Sequence, residues 1–148
     1  MVTKKTKEEV EVLRAGGKIL AGILDELCSM VKPGITTGDL EKLACRLMDQ
    51  AGGRPAQKNF DMGNGEVFPT ALITCINHEV VHAASLPPRK LESGDILSID
   101  FVMEYPLRNN KNNIPKNWPV NPHSELGGYY TDMARTVVVG KVDLVTKK

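Results

Sequence analysis

No stretch of this sequence approaches the ~18–20 consecutive apolar residues that span a bilayer, so it offers no membrane-crossing helix. The first residues, "MVTKKTKEEV", run straight into charge and lack the charged-then-apolar order of a secretory leader. Cysteine is scarce. Cys28, Cys45 and Cys75 form no CxxC pair and have no metal-ligand spacing. An odd, unpatterned set of this kind argues against a disulfide framework and predicts reduced, buried thiols in a cytoplasmic protein. Charge of one sign is lacking as well. The net charge of +1 leaves no electrostatic case for specific nucleic-acid binding or for an acidic membrane surface. The one basic cluster, Lys4 to Lys7, reads as a solvated arm. The GxSxG elbow, the GxGxxG fingerprint and the P-loop are all missing, and Cys75 has no electropositive neighbours to activate it. There is no internal repeat and no linker.

The composition that remains, 41% hydrophobic and 25% charged, is that of an ordinary globular domain. At 148 residues the chain is long enough for one domain, which would bury roughly two-thirds of its unfolded surface. The spacing predicts a first helix over residues 6–31. Thr6 and Glu9 have capping-box spacing, and Val12, Leu13, Leu20, Ile23, Leu24, Leu27 and Val31 recur at helical period. Gly16 and Gly17 weaken that helix and suggest that another element comes close there. "KPG" at Lys32–Gly34 stops it. A second helix is predicted over residues 37–51, with Leu40, Leu43, Ala44, Leu47, Met48 and Ala51 as its apolar stripe and Gly52-Gly53 as its stop. The Gly-, Pro- and Asn-rich stretch from Arg54 to Pro69 reads as loop. Strands are predicted over 71–77, 95–105 and 128–139, with a long Asn- and Pro-rich loop over 106–127 joining the last two. Trp118, the only tryptophan, is the residue expected to pin that loop to the body. The closing "KVDLVTKK" reads as a polar, helix-prone segment. The whole is an α+β chain, two helices packed on an antiparallel sheet.

Two carboxylates stand out against these apolar strands. Asp100 lies among Ile96, Leu97, Ile99 and Phe101, and Asp132 lies in "GGYYTDMART". Burying an unpaired carboxylate costs several kcal/mol. The bland reading places both on a solvated face. Alternation is compatible with that, since Ile96, Ser98 and Asp100 share one face and Tyr130, Asp132 and Ala134 share another. If the two strands pair antiparallel, the carboxylates project to the same side and repel unless a cation lies between them. A dinuclear metal centre would remove that penalty and supply an activated water. His82, in "NHEVVHAAS", follows a strand-like run and precedes small residues, which suits a site that admits a ligand. His78 and His123 have no such context.

These stretches resemble one family. "NHEVVHA", "LESGDILSIDF" and "GGYYTDMARTVVVGK" fall in the order found in methionine aminopeptidases of the bacterial type, and "VKPGITTGDLEKLA" resembles a helix junction of the same family. The paired GDxxxxDF and GYxxDxxRT patterns are shared by the wider pita-bread metallopeptidases. The resemblance covers the chain apart from residues 105–126. It implies the N-terminal half of a pita-bread fold and removal of N-terminal methionine from nascent proteins by two divalent metal ions, with Co, Mn, Fe or Zn as candidates. It implies that Asp100 and Asp132 are metal ligands and that His82 is the catalytic, substrate-contacting histidine beside the scissile bond. The family's remaining ligands, one histidine and two glutamates, come from the second half, so a second-half polypeptide joins the nascent N-terminus and the ribosome among the expected partners. Without that half, the sheet face should be exposed and prone to association. Three departures, Ala83 after His82, Val102 after Phe101 and Ile73 at a pocket position, bear on methionine selectivity more than on metal binding. The residues also admit a non-catalytic protein-binding module of the same fold, or an aminopeptidase P-like enzyme.

Overall fold

The computed structural model describes residues 4–109 and 114–141. Helix α1 runs Lys7–Met30 and helix α2 runs Thr37–Ala51. Both begin with reciprocal capping boxes, Thr6 with Glu9 and Thr36 with Asp39, each satisfying donors that a helix start leaves open. Gly52 ends α2 in the left-handed conformation (φ 82°). Four strands follow: β1 Arg54–Pro55, β2 Ile73–Ile76, β3 Ile96–Tyr105 and β4 Tyr129–Val138. All pairings are antiparallel, and β3 is the centre. On one side it pairs with β4 along its whole length. On the other it pairs with β2 through Leu97–Asp100 and with β1 at Met103 and Glu104.

The pleat of β3 separates two environments. Leu97, Ile99, Phe101 and Met103 point to the helices and are completely buried against Leu20, Leu24, Leu27, Leu40, Ala44 and Met48. Ile96, Ser98, Asp100, Val102 and Glu104 point the other way, to the face opposite α1 and α2. Gly16 lets α1 approach β4 closely, since a Cβ there would lie 3.3 Å from the Thr131 methyl carbon. Gly17 has nothing within 4 Å, so only one of the pair serves close packing.

Four features differ from the sequence reading. The strand expected over 71–77 is shorter at both ends: the Ala71 and Leu72 N–H groups go to the Glu41 carboxylate, and the chain turns at Asn77, which takes a left-handed backbone (φ 55°). The stretch read as loop after Gly53 contains β1, two residues too short for any pattern to reveal. His82 does not end a strand; it sits in an irregular segment with φ 61°. Cys75 is buried, but Cys28 and Cys45 are only partly so. The closing segment lies outside the described residues beyond Lys141.

The connection from β3 to β4 is held down. Trp118 packs edge-on against Tyr105, with ring centroids 6.3 Å apart. Arg108 N–H donates to the Leu126 carbonyl at 2.9 Å. Beneath it, Glu104 is completely buried and accepts from Arg54 Nε (2.7 Å), the Gly128 N–H (3.1 Å) and the Ser124 hydroxyl. No described helix is long and apolar enough to cross a membrane.

Candidate active site

Strand register places the two aspartates. Asp100 is directly opposite Ala134, and Asp132 is directly opposite Val102. They are therefore diagonal neighbours on one face, with backbones roughly 7–8 Å apart. Asp100 is half-buried and Asp132 is exposed. Burial pushes the Asp100 carboxyl above its usual range, and the Asp132 carboxylate pushes it further the same way, while the His82 imidazole opposes the rise. Like charges at this spacing favour keeping a proton or acquiring a cation.

His82 reaches the same place from the other side. Its segment is tied to β2 by the Thr74 N–H, which donates to the Ala83 carbonyl at 2.8 Å, and by the bridge between Ile73 and Ala84. His82, Asp100 and Asp132 thus line one cleft of about 740 Å³. The rest of its wall is largely apolar: Phe60, Met62, Phe68, Pro69 and Ile73, with Gln57 among them. Phe60 is 64% exposed and Met62 48%, so the cleft presents large apolar side chains to solvent. The Gln57 Oε1 accepts from the Val102 N–H at 3.2 Å, which fixes the amide beside the strand that carries the aspartates.

The sequence reading named His82, Asp100 and Asp132, and the fold brings all three together. It missed most of the apolar wall. A Gly- and Asn-punctuated stretch such as "QKNFDMGNGEVF" looks like surface, and only tertiary contact turns its Phe and Met side chains into a lining. His78 and His123 do not line this cleft.

The residues fit a divalent cation in part. Two carboxylates on one face, in conflict with each other, are a hard-oxygen donor pair that a metal would reconcile. Among the described residues, however, no group of three or more His, Cys, Asp or Glu side chains gathers in metal-binding geometry.

The profile of metallopeptidase family M24 matches residues 11–108. The chain belongs to metallopeptidase family M24. The match includes His82 and Asp100 and stops before Asp132. The methionine aminopeptidase of Treponema pallidum is 34% identical over 143 residues, covering 96% of this chain and 45% of that protein. That of Clostridium acetobutylicum is 31% identical over 142 residues, covering 96% of this chain and 46% of that protein. Among solved structures, a methionine aminopeptidase from Streptococci superposes with a TM-score of 0.79 at 28% identity, covering 99% of this chain and 55% of that chain. The Thermotoga maritima enzyme gives 0.72 at 29% identity, covering 97% of this chain and 47% of that chain. Escherichia coli aminopeptidase P, at 21% identity and a TM-score of 0.62, shares the fold. This M24 chain therefore spans about half the length of the curated relatives it matches, and its α+β architecture is that of half a pita-bread domain.

Proposed function

We propose that this M24 chain forms the first half of a methionine aminopeptidase site, cleaving the peptide bond that follows an apolar N-terminal residue. One observation carries the reading: a single cleft joins two mutually opposed carboxylates, a histidine and an apolar wall. Asp100 and Asp132 would hold divalent metal, with Mn, Co, Fe or Zn as candidates. Metal bound there would supply Lewis acidity and a water of lowered pKa. His82 faces the cleft with an imidazole able to donate a hydrogen bond to the carbonyl oxygen of the scissile bond, where negative charge develops. Phe60, Met62, Phe68 and Ile73 would receive the first side chain and exclude water from it. Ile73 and Gln57 give the wall a shape that sets selectivity among apolar residues. The donor set is completed from beyond these residues, which makes a second-half segment or polypeptide the expected structural partner. The substrate would be the N-terminus of newly made protein, met in the cytoplasm and at the ribosome.

The test uses the polypeptide as its source cell makes it, incubated with Mn(II) and a Met-Ala-Ser tripeptide, with free methionine read by mass spectrometry. Hydrolysis should fall at least ~100-fold in Asp100→Asn and in His82→Asn, as expected for losing a group that acts in the transition state. Asn tolerates the left-handed backbone at position 82, so that variant should fold normally. Undiminished hydrolysis in both variants would overturn the proposal.

A further inference from the structure

Behind the cleft lies a buried carboxylate to which the chemistry above gives no role. Glu41, on the inner side of α2, is 4% exposed. Its Oε1 accepts from the Ala71 N–H at 2.8 Å, and its Oε2 accepts from the Leu72 N–H at 2.9 Å and the Ser85 hydroxyl at 2.7 Å. Lys58 Nζ lies 3.7 Å from Oε1. These partners do not line the cleft but adjoin residues on three of its walls. Lys58 adjoins Gln57 and precedes Phe60. Ala71 and Leu72 lead into β2 at Ile73. Ser85 follows shortly after His82. Ser85 is fixed again from α2, where the Thr37 hydroxyl donates to its carbonyl at 2.7 Å. Arg89 braces the same segment, donating to the Thr74 and Ala84 carbonyls at 2.6 and 3.1 Å.

His82 stands at the exposed end of this bracing with φ 61°. A non-glycine residue holds the left-handed region only where its surroundings over-determine it. Among the described residues the bracing flanks His82 on both sides: Glu79 accepts from the Ile76 N–H and from Arg89 before it, and residues 83–89 after it are held by Thr74, Arg89 and, innermost, Glu41. We propose that Glu41, acting through Ser85, is a positioning residue that holds the His82 backbone in this conformation and keeps its ring in the cleft. The carboxylate suits the task because it only accepts, and it faces donors alone: two backbone N–H groups, the Ser85 hydroxyl, the Cys45 thiol and the Lys58 ammonium. An amide in its place would turn an N–H toward one of them. Through Lys58 the same group links the apolar wall to the histidine, so the two sides of the cleft are set by one anchor. The functional meaning rests on the reading of His82 as the group beside the scissile bond, but the structural claim can be tested without catalysis.

The experiment compares backbone amide exchange and His82 ring ¹H–¹⁵N signals in metal-free wild type, Ser85→Ala, Glu41→Gln and the double variant. Ser85→Ala should speed exchange of the Thr74 amide, the donor to Ala83, by about tenfold or more, the scale of one hydrogen bond to a charged group. It should shift the His82 ring signals while leaving α1 amides such as that of Leu24 unchanged. Adding Ser85→Ala to Glu41→Gln should change the His82 signals no further, because both act along one path. Wild-type His82 signals and Thr74 exchange in Ser85→Ala would overturn the proposal, as would independent, additive effects of the two substitutions. If Glu41→Gln fails to fold, Ser85→Ala alone decides by the first two criteria. A wild-type protein that hydrolyses no peptide would count against the proposed function and leave these measurements standing.

Discussion

Replacing Glu104 by alanine should cost this domain about 3–5 kcal/mol, from two buried donors left without an acceptor and the cavity left behind. The figure can be built from its contacts. The Ser124 hydroxyl, in a side chain only 7% exposed, and the buried Gly128 N–H would lose their acceptor. Each buried group left unsatisfied costs about 1–3 kcal/mol. The cavity left by the missing side-chain atoms adds to this. Arg54, 42% exposed, returns to water, so its ion pair contributes little. Glu104→Gln keeps the volume and one accepting oxygen and should cost roughly half as much, since one donor keeps its partner. Urea unfolding at pH 7 measures both. Trp118 supplies a second reading: it rests on Tyr105 in the segment that Glu104 anchors, and it is the only tryptophan. Its fluorescence should shift to the red in Glu104→Ala at urea concentrations below the main transition. A cost under about 1 kcal/mol, with Trp118 emission unchanged, would refute the view that this carboxylate holds the β3–β4 connection in place.

Asp100→Asn should stabilise the metal-free protein at neutral pH. The folded-state pKa of Asp100 is raised, so its contribution is fully favourable below the unfolded value of 3.8 and is lost as pH rises through the folded value. The gain from Asn should therefore vanish in acid unfolding curves below that pH. Saturating Mn(II) should reverse the order, since a ligand at 100 times its dissociation constant adds about 2.7 kcal/mol to the wild type alone. Phe101→Ala, in the most densely buried row of β3, should cost about 3–5 kcal/mol by urea unfolding. Gly128→Ala should cost about 1–3 kcal/mol, because the added Cβ would lie 2.5 Å from Glu104 Cγ and 3.1 Å from the Tyr105 nitrogen; a variant with the wild-type melting temperature would contradict it.

The sequence made some of this structure legible and hid the rest for identifiable reasons. The helices are visible because their signals are local: Thr6 with Glu9 at one end, Gly52 at the other, and a 3.6-residue period between. The shared face of Asp100 and Asp132 is visible because side chains alternate with period two, whatever the sheet around them. Strand β1 is hidden because two residues carry no period. The backbone of His82 is hidden because nothing in a His-Ala-Ala sequence demands a positive φ; the demand arises from contacts with β2 and α2. Glu41 and Glu104 are hidden most completely. A lone glutamate in sequence reads as solvated, yet each is buried by partners far along the chain, Ala71 and Leu72 for the first and Arg54 and Ser124 for the second. Buried carboxylates are tertiary facts, and no local window contains their compensation.

Full-length pairing of β3 with β4 has a consequence for how this architecture can change. The separation of Asp100 from Asp132 is fixed by ten rungs of antiparallel register, from Ile96–Val138 to Tyr105–Tyr129. Residues added or lost beyond the Tyr105–Tyr129 rung leave every one of those rungs in place, and doubling the length of such a connection costs only about 0.6 kcal/mol in closure entropy. One residue gained or lost inside either strand would instead turn an aspartate into the helical core. The end of this hairpin is thus a position where the chain can acquire new sequence without disturbing the geometry of its acidic pair, and a 32-residue distance between two aspartates in sequence says nothing against their being neighbours in space.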